Sequence, residues 1–266
     1  MAIYTVQYFS EALRRQTVFC VCTPNDIERE KKADNLCFQR GTKTLFLLHG
    51  YSANFNDWIT MSKIRELSEK YNFAFVMPSG DNSFYVDSES LGCRYGTFIG
   101  EELPEYVRNN FGLASDRMDT FIGGLSMGGF GAIRNGLRYP QQFSKICGLS
   151  SAMILHRISG MKPGEADEIG NYAYYTQIFG NLQQNLYTDN NPEYLIQKLN
   201  REEQEIPSMY LTCGTEDSLL EENRQFKEFL EQQNVPLLYC ESPGKHDWQF
   251  WNEKIEEAVQ WLAEEA

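Results

Sequence analysis

The chain has 266 residues, with 24 Lys and Arg against 37 Asp and Glu, a formal net charge of −13. The basic residues are scattered, which argues against nucleic acid or an anionic membrane surface as the main partner and favours a small-molecule substrate. This length fills one large α/β domain with a sizeable core, so a single domain over residues 1–266 is expected. Residues 1–4 open neither a charged nor an apolar leader region, and no apolar run approaches the length a bilayer requires, so the expected address is the cytoplasm. A homo-oligomer is compatible with all of this. The seven cysteines follow no zinc-ribbon or Cys-x-x-Cys spacing, and several fall in apolar runs such as "TVFCVCT". They read as reduced, mostly buried thiols with no metal site.

In chain order, "IYTVQYF" and "TVFCVCT" read as an opening hairpin, followed by "TLFLLHG", "FAFVMP", "DTFIGG", "KICGLSS", "SMYLTCG" and "PLLYCES" as strands. Helical patterns fall at Asp57–Tyr71, Glu101–Asn110, Met127–Tyr139, Leu219–Gln233 and Trp251–Glu264. Nearly apolar strands alternating with such helices indicate a mainly parallel sheet covered on both faces, an α/β class. The rhythm breaks over residues 152–206, where turn residues and tyrosines mix; this stretch is expected to be an insertion or a lid over a site.

"FIGGLSMGGFGAI" packs five glycines around Ser126. Gly124-Leu125-Ser126-Met127-Gly128 is a G-x-S-x-G pattern set between a strand and a helix, where a sharp turn exposes a nucleophile and strand and helix pass too close for side chains. The plain alternative is a glycine-rich turn with an incidental serine. A serine hydroxyl is too weakly acidic to attack an ester unaided, so the pattern demands a base, an acid and an oxyanion hole elsewhere.

Only three histidines can supply the base. His49 closes a strand and suits a structural hydrogen bond in its turn, and His156 opens the irregular segment and suits a surface or lid position. His246, in "SPGKHDWQFW" between the last strand and the last helix, stands where a loop can reach the carboxyl end of the sheet. Its plain alternative is packing on Trp248. Between Ser126 and His246, "SMYLTCGTEDSLL" offers Asp217 as the acid, with Glu216 as the alternative; Asp217 or Ser218 also fits as the cap of the following helix. The hole requires two N–H donors, Met127 after the nucleophile and Tyr51 after the "TLFLLHG" strand.

With "LFLLHGYSANFNDWI", "VMPSGDNSFYVD", "GEELPEYV", "GGLSMGGFGAI", "CGTEDSL" and "KHDWQFW" in this order, the chain from about Leu45 onward resembles the bacterial tributyrin-esterase and feruloyl-esterase-like group of the α/β-hydrolases, related to S-formylglutathione hydrolase and the mycolyltransferases. The resemblance implies an α/β-hydrolase fold with a mostly parallel central sheet, an antiparallel N-terminal edge, and a segment after "GLSSA" lying over the site. It also implies Ser126 as nucleophile, Asp217 as acid, His246 as base, Tyr51 and Met127 as oxyanion donors, and no cofactor. Trp58, Tyr85 and Asp87 are candidate substrate-pocket residues. The expected activity is hydrolysis of short acyl esters, acetyl or butyryl, on sugars or as hydroxycinnamoyl esters. An acyltransferase or thioesterase using the same three residues, and a non-catalytic binding protein on this scaffold, are the alternatives.

Overall fold

The computed structural model describes residues 1–88 and 92–264, so the C-terminal end of the expected 1–266 domain lies outside the described residues. Eight strands form one sheet: Ala2–Ser10 (β1), Arg15–Thr23 (β2), Lys43–Leu48 (β3), Phe73–Pro78 (β4), Thr120–Leu125 (β5), Lys145–Leu149 (β6), Ser208–Gly214 (β7) and Leu237–Ser242 (β8). Their spatial order is β1-β2-β4-β3-β5-β6-β7-β8. The pairs β1–β2 and β2–β4 are antiparallel and all others are parallel, which is the mostly parallel sheet with an antiparallel N-terminal edge that the sequence implied.

Every residue of β3, β4 and β5 is buried, as expected of central parallel strands covered on both faces. Side chains alternate along β3. Phe46 and Leu48 pack with Phe130 and Ile133 of the helix Met127–Arg138, while Leu45 and Leu47 join a second cluster with Leu67 of Ile64–Tyr71 and Ile255 of Trp248–Ala263. The register aligns the carboxyl ends of four strands, with Leu48 opposite Gly124, Leu125 opposite Leu149, and Leu149 opposite Thr212. The loops leaving those ends therefore converge, as open α/β sheets require for a site. Among the described residues no helix is long and apolar enough to cross a membrane.

Two helices depart from their sequence patterns. The expected helix Asp57–Tyr71 is two, Asp57–Met61 and Ile64–Tyr71. Ser62 is extended between them, its hydroxyl donating to Trp58 O and accepting from Ile64 N–H, so a side chain replaces one turn of backbone bonding. The last helix starts at Trp248, three residues earlier than expected, because Asp247 caps it by accepting from Phe250 N–H.

The irregular stretch contains the helices Leu155–Ser159, Tyr172–Phe179 and Pro192–Arg201. Its loop 165–172 is a narrow turn closed by Asp167 N–H to Gly170 O (2.9 Å), Tyr172 N–H to Glu165 O (3.0 Å) and a bridge between Ala166 and Asn171. Buried Arg134 reaches out from the helix Met127–Arg138 and donates through Nε to Asp189 O at 3.0 Å, which ties the stretch to the body.

The approach of helix to sheet is closest at Gly128, where an added methyl would stand 2.4 Å from Leu48 O and 2.6 Å from His49 O. Backbone oxygens cannot rotate away, so Gly128→Ala is expected to destabilise the fold by about 1–3 kcal/mol, measured by urea denaturation.

Candidate active site

Ser126 ends β5 and precedes the helix Met127–Arg138 with φ 53° and ψ −119°, a conformation costly for any residue with a side chain. Its N–H donates to Leu149 O (2.9 Å), and its carbonyl accepts from Ala152 N–H (2.9 Å) and Phe130 N–H (3.1 Å). These bonds hold the turn. The glycines have the steric role expected of them: a methyl on Gly124 would lie 2.4 Å from Gly128 O, and one on Gly129 would lie 2.5 Å from Ser151 Oγ. Met127 is the first residue of the helix, so its N–H belongs to the turn that lacks intrahelical acceptors.

The structure brings Ser126, His246 and Asp217 together. His246 Nε2 lies 3.0 Å from Ser126 Oγ, and its Nδ1 lies 2.9 and 3.1 Å from the two carboxylate oxygens of Asp217. A carboxylate only accepts, so Nδ1 carries the proton, leaving Nε2 to accept from the serine hydroxyl. The Asp217 side chain is fully buried, whereas Glu216 beside it is exposed. Burial pushes the Asp217 carboxyl up, but the hydrogen bonds from His246 and Leu219 N–H outweigh it and hold the carboxyl below its ordinary value. Asp217 thus both accepts from His246 and accepts at the start of the next helix, so its two sequence readings coexist. His246 packs edge-on against Trp251, ring centroids 4.9 Å apart, rather than against Trp248.

The other two histidines are elsewhere. His49 is buried, with Nε2 accepting from Gly80 N–H (2.8 Å) and Nδ1 against Gly50 O (2.7 Å). Because a backbone N–H can only donate, this network fixes the tautomer with Nδ1 protonated. His156 is exposed and pairs with Glu193 at 2.9 Å.

A cavity of about 530 Å3 opens beside Ser126 and His246. Tyr51 and Met127 are in its wall, together with Phe84, Ile154, Ile169 and Leu219. The three residues expected to line a substrate pocket do not line it. Trp58 is fully buried and donates through Nε1 to Leu48 O (3.0 Å); Tyr85 is fully buried and donates its hydroxyl to His49 O (2.9 Å). Asp87 accepts from Thr97 N–H (2.8 Å) and its hydroxyl (2.9 Å). Phe84 takes the position expected of Tyr85 because both residues have positive φ, 52° and 56°, and the chain turns over there. No periodicity signals such a pair. The rim is mostly acidic: Arg157 pairs with Glu222 (3.1 Å) and Asp167 (3.7 Å), while Glu168 is exposed. Among the described residues no three His, Cys, Asp or Glu side chains converge as metal ligands.

The family described as "Putative esterase" matches residues 10–262 of this chain. The chain belongs to that esterase family. An acetyl esterase of Caldicellulosiruptor saccharolyticus is 41% identical over 263 residues, covering 99% of this esterase and 98% of the relative. Two solved structures from Staphylococcus aureus, each 29% identical and covering 99% of both chains, superpose on it. A fluorophosphonate-binding serine hydrolase has a TM-score of 0.85 and an S-formylglutathione hydrolase has 0.83. The esterase has the α/β-hydrolase fold and is a carboxylic ester hydrolase, as its sequence motifs implied.

Burial holds the His49 pKa below its ordinary value. With the folded value below the unfolded one, the stability it contributes is complete above about pH 6.5 and is lost as pH falls toward the folded value. His49→Gln keeps an acceptor for Gly80 N–H without a titrating ring, so urea denaturation between pH 7 and 5 should show a smaller loss of stability than in the native esterase. Equal losses would place the acid sensitivity elsewhere.

Proposed function

We propose that this esterase is a serine carboxylesterase that hydrolyses short acyl esters through an acyl-enzyme on Ser126. The observation that carries the reading is the continuous hydrogen-bonded line from Ser126 Oγ through His246 to buried Asp217, at the wall of a cavity large enough for a small ester. Ser126 Oγ attacks the ester carbonyl while His246 Nε2 takes its proton. The tetrahedral oxyanion is held by the N–H groups of Met127 and Tyr51, which also places their side chains in the cavity wall. His246 then returns the proton to the departing alcohol. Water, deprotonated by His246, attacks the acyl-enzyme; as the acid is released His246 returns that proton to Ser126 Oγ. Asp217 stays ionised throughout, stabilising the imidazolium and fixing its orientation.

The full-length similarity to an acetyl esterase supports a small acyl group, acetyl before butyryl or hydroxycinnamoyl, on a neutral alcohol such as a sugar. The similarity to an S-formylglutathione hydrolase keeps thioester cleavage as the second reading. Against it, Arg157 is the cation in the cavity wall and is already paired with two carboxylates, while Glu168 would repel an anionic peptide thiol. The stretch 152–206 serves as a cover, since Ile154, Arg157, Asp167 and Ile169 all contribute to the cavity wall. No cofactor enters the cycle. Seven free cysteines among the described residues support a reducing, cytoplasmic setting.

A fluorophosphonate probe should add covalently to the peptide containing Ser126, located by mass spectrometry, and Ser126→Ala should take up none. Asp217→Asn should lower kcat for p-nitrophenyl acetate by about 10⁴-fold, because the amide favours the wrong imidazole tautomer; full activity in either variant would sink the acyl-enzyme reading. Turnover of p-nitrophenyl acetate should exceed that of S-formylglutathione, and the reverse order would favour the thioesterase.

A further inference from the structure

The N–H of Tyr51 and the carbonyl of Gly50 belong to one planar peptide group, so whatever fixes that carbonyl also aims the N–H. Gly50 O lies 2.7 Å from His49 Nδ1, the protonated nitrogen, and also accepts from Ala53 N–H at 3.4 Å. The next peptide group carries Ser52 N–H, which donates to Asn82 Oδ1 at 2.8 Å. A backbone N–H only donates, so the Asn82 atom facing it is the amide oxygen. Ser52 has φ 61°, a left-handed conformation costly for a residue with a side chain, so local preference does not hold this peptide in its direction. Among the described residues Tyr51 N–H donates to no backbone oxygen.

Both supports lead to the loop that leaves β4. Gly80 N–H donates to His49 Nε2 at 2.8 Å, the Tyr85 hydroxyl donates to His49 O at 2.9 Å, and Asn82 reaches Ser52 directly. The loop is itself fixed, since Ser83 Oγ donates to Gly80 O (2.5 Å) and accepts from Tyr85 N–H (3.1 Å). Asn82 is half-buried and has a second contact. Its carbonyl accepts from the Tyr174 hydroxyl at 2.6 Å, and Tyr174 belongs to the helix Tyr172–Phe179 in the stretch that covers the cavity. The Tyr174 ring also stands edge-on to Tyr51, centroids 6.0 Å apart. One residue therefore joins the Tyr51 turn, the β4 loop and the cover.

We propose that Asn82 is a positioning residue for the oxyanion hole, fixing the Tyr51–Ser52 peptide through Oδ1 and tying it to the cover through its carbonyl, so that Tyr51 N–H keeps its aim. Neither Asn82 nor Tyr174 lines the cavity, so the pair acts on the reaction only through Tyr51. The proposal rests on the acyl-enzyme reading above, with Tyr51 N–H as an oxyanion donor. Full negative charge reaches the oxygen only in the tetrahedral state, so a misaimed donor slows turnover and leaves substrate binding alone.

The full chain is assayed with p-nitrophenyl acetate and inhibited with a short trifluoromethyl ketone. Ser126 Oγ bonds to the ketone carbon, the serine proton passes to His246, and the carbonyl electron pair moves onto the oxygen, which becomes an oxyanion in the hole. Asn82→Ala is expected to lower kcat about 5- to 20-fold with KM within about twofold, and to raise the ketone inhibition constant by a similar factor. A merely loosened fold would reduce the active fraction and leave that constant where it was. Tyr174→Phe keeps the ring against Tyr51 but frees Asn82 O; it should cost about 2- to 5-fold in kcat alone and nothing further in the Asn82→Ala background, because it acts through Asn82. Native kcat in either single variant, an unchanged ketone constant in Asn82→Ala, an effect confined to KM, or losses that multiply in the double variant would each overturn the proposal. Ser126→Ala keeps the two readings apart. If it is inactive while Asn82→Ala is fully active, only the role of Asn82 falls; if it is fully active, the acyl-enzyme reading falls first.

Discussion

The structure turns on how closely a helix can approach a strand. At the end of β5 the chain reverses within one residue, and Gly128 comes so near Leu48 O and His49 O that no Cβ fits between them. That contact sets Ser126 at φ 53° with its hydroxyl above the carboxyl edge of the sheet. It also leaves the first N–H groups of a helix beside the same point, where negative charge is favoured. Remove the close approach and both features disappear together, because each is a consequence of where the helix begins.

The second constraint is electrostatic. A carboxylate with a fully buried side chain stays ionised only if its lone pairs are met, and Asp217 is met by His246 and Leu219 N–H. The same bonds that make the charge tolerable also orient the imidazole. His49 shows the contrary case: burial without a carboxylate partner favours the neutral ring, and its two nitrogens are tied to backbone at Gly50 and Gly80. Two histidines near one sheet edge thus have opposite tasks, decided by what faces them.

Much of the fold was legible because β3, β4 and β5 are buried on both faces, and such strands must be apolar throughout. The glycine cluster and the loop of His246 were legible for a related reason, since backbone crowding and scarcity of histidine leave few ways to write them. The break at Ser62 was not, because a serine that bonds to Trp58 O and Ile64 N–H looks in sequence like one more polar helix position. Nor was the pocket. Trp58 and Tyr85 are aromatic residues in the right loops, yet their polar atoms are spent on Leu48 O and His49 O inside the core.

The chain order of residues by itself determined the strand–helix alternation, the tight serine turn and the short set of residues able to partner it, because local sterics and burial periodicity are written residue by residue. Only the tertiary structure decided that Phe84 rather than Tyr85 faces the cavity, that Asp217 rather than Glu216 meets His246, and that Trp251 rather than Trp248 packs on His246. Those outcomes depend on strand register and on single residues at positive φ, which redirect side chains without leaving a pattern in the sequence.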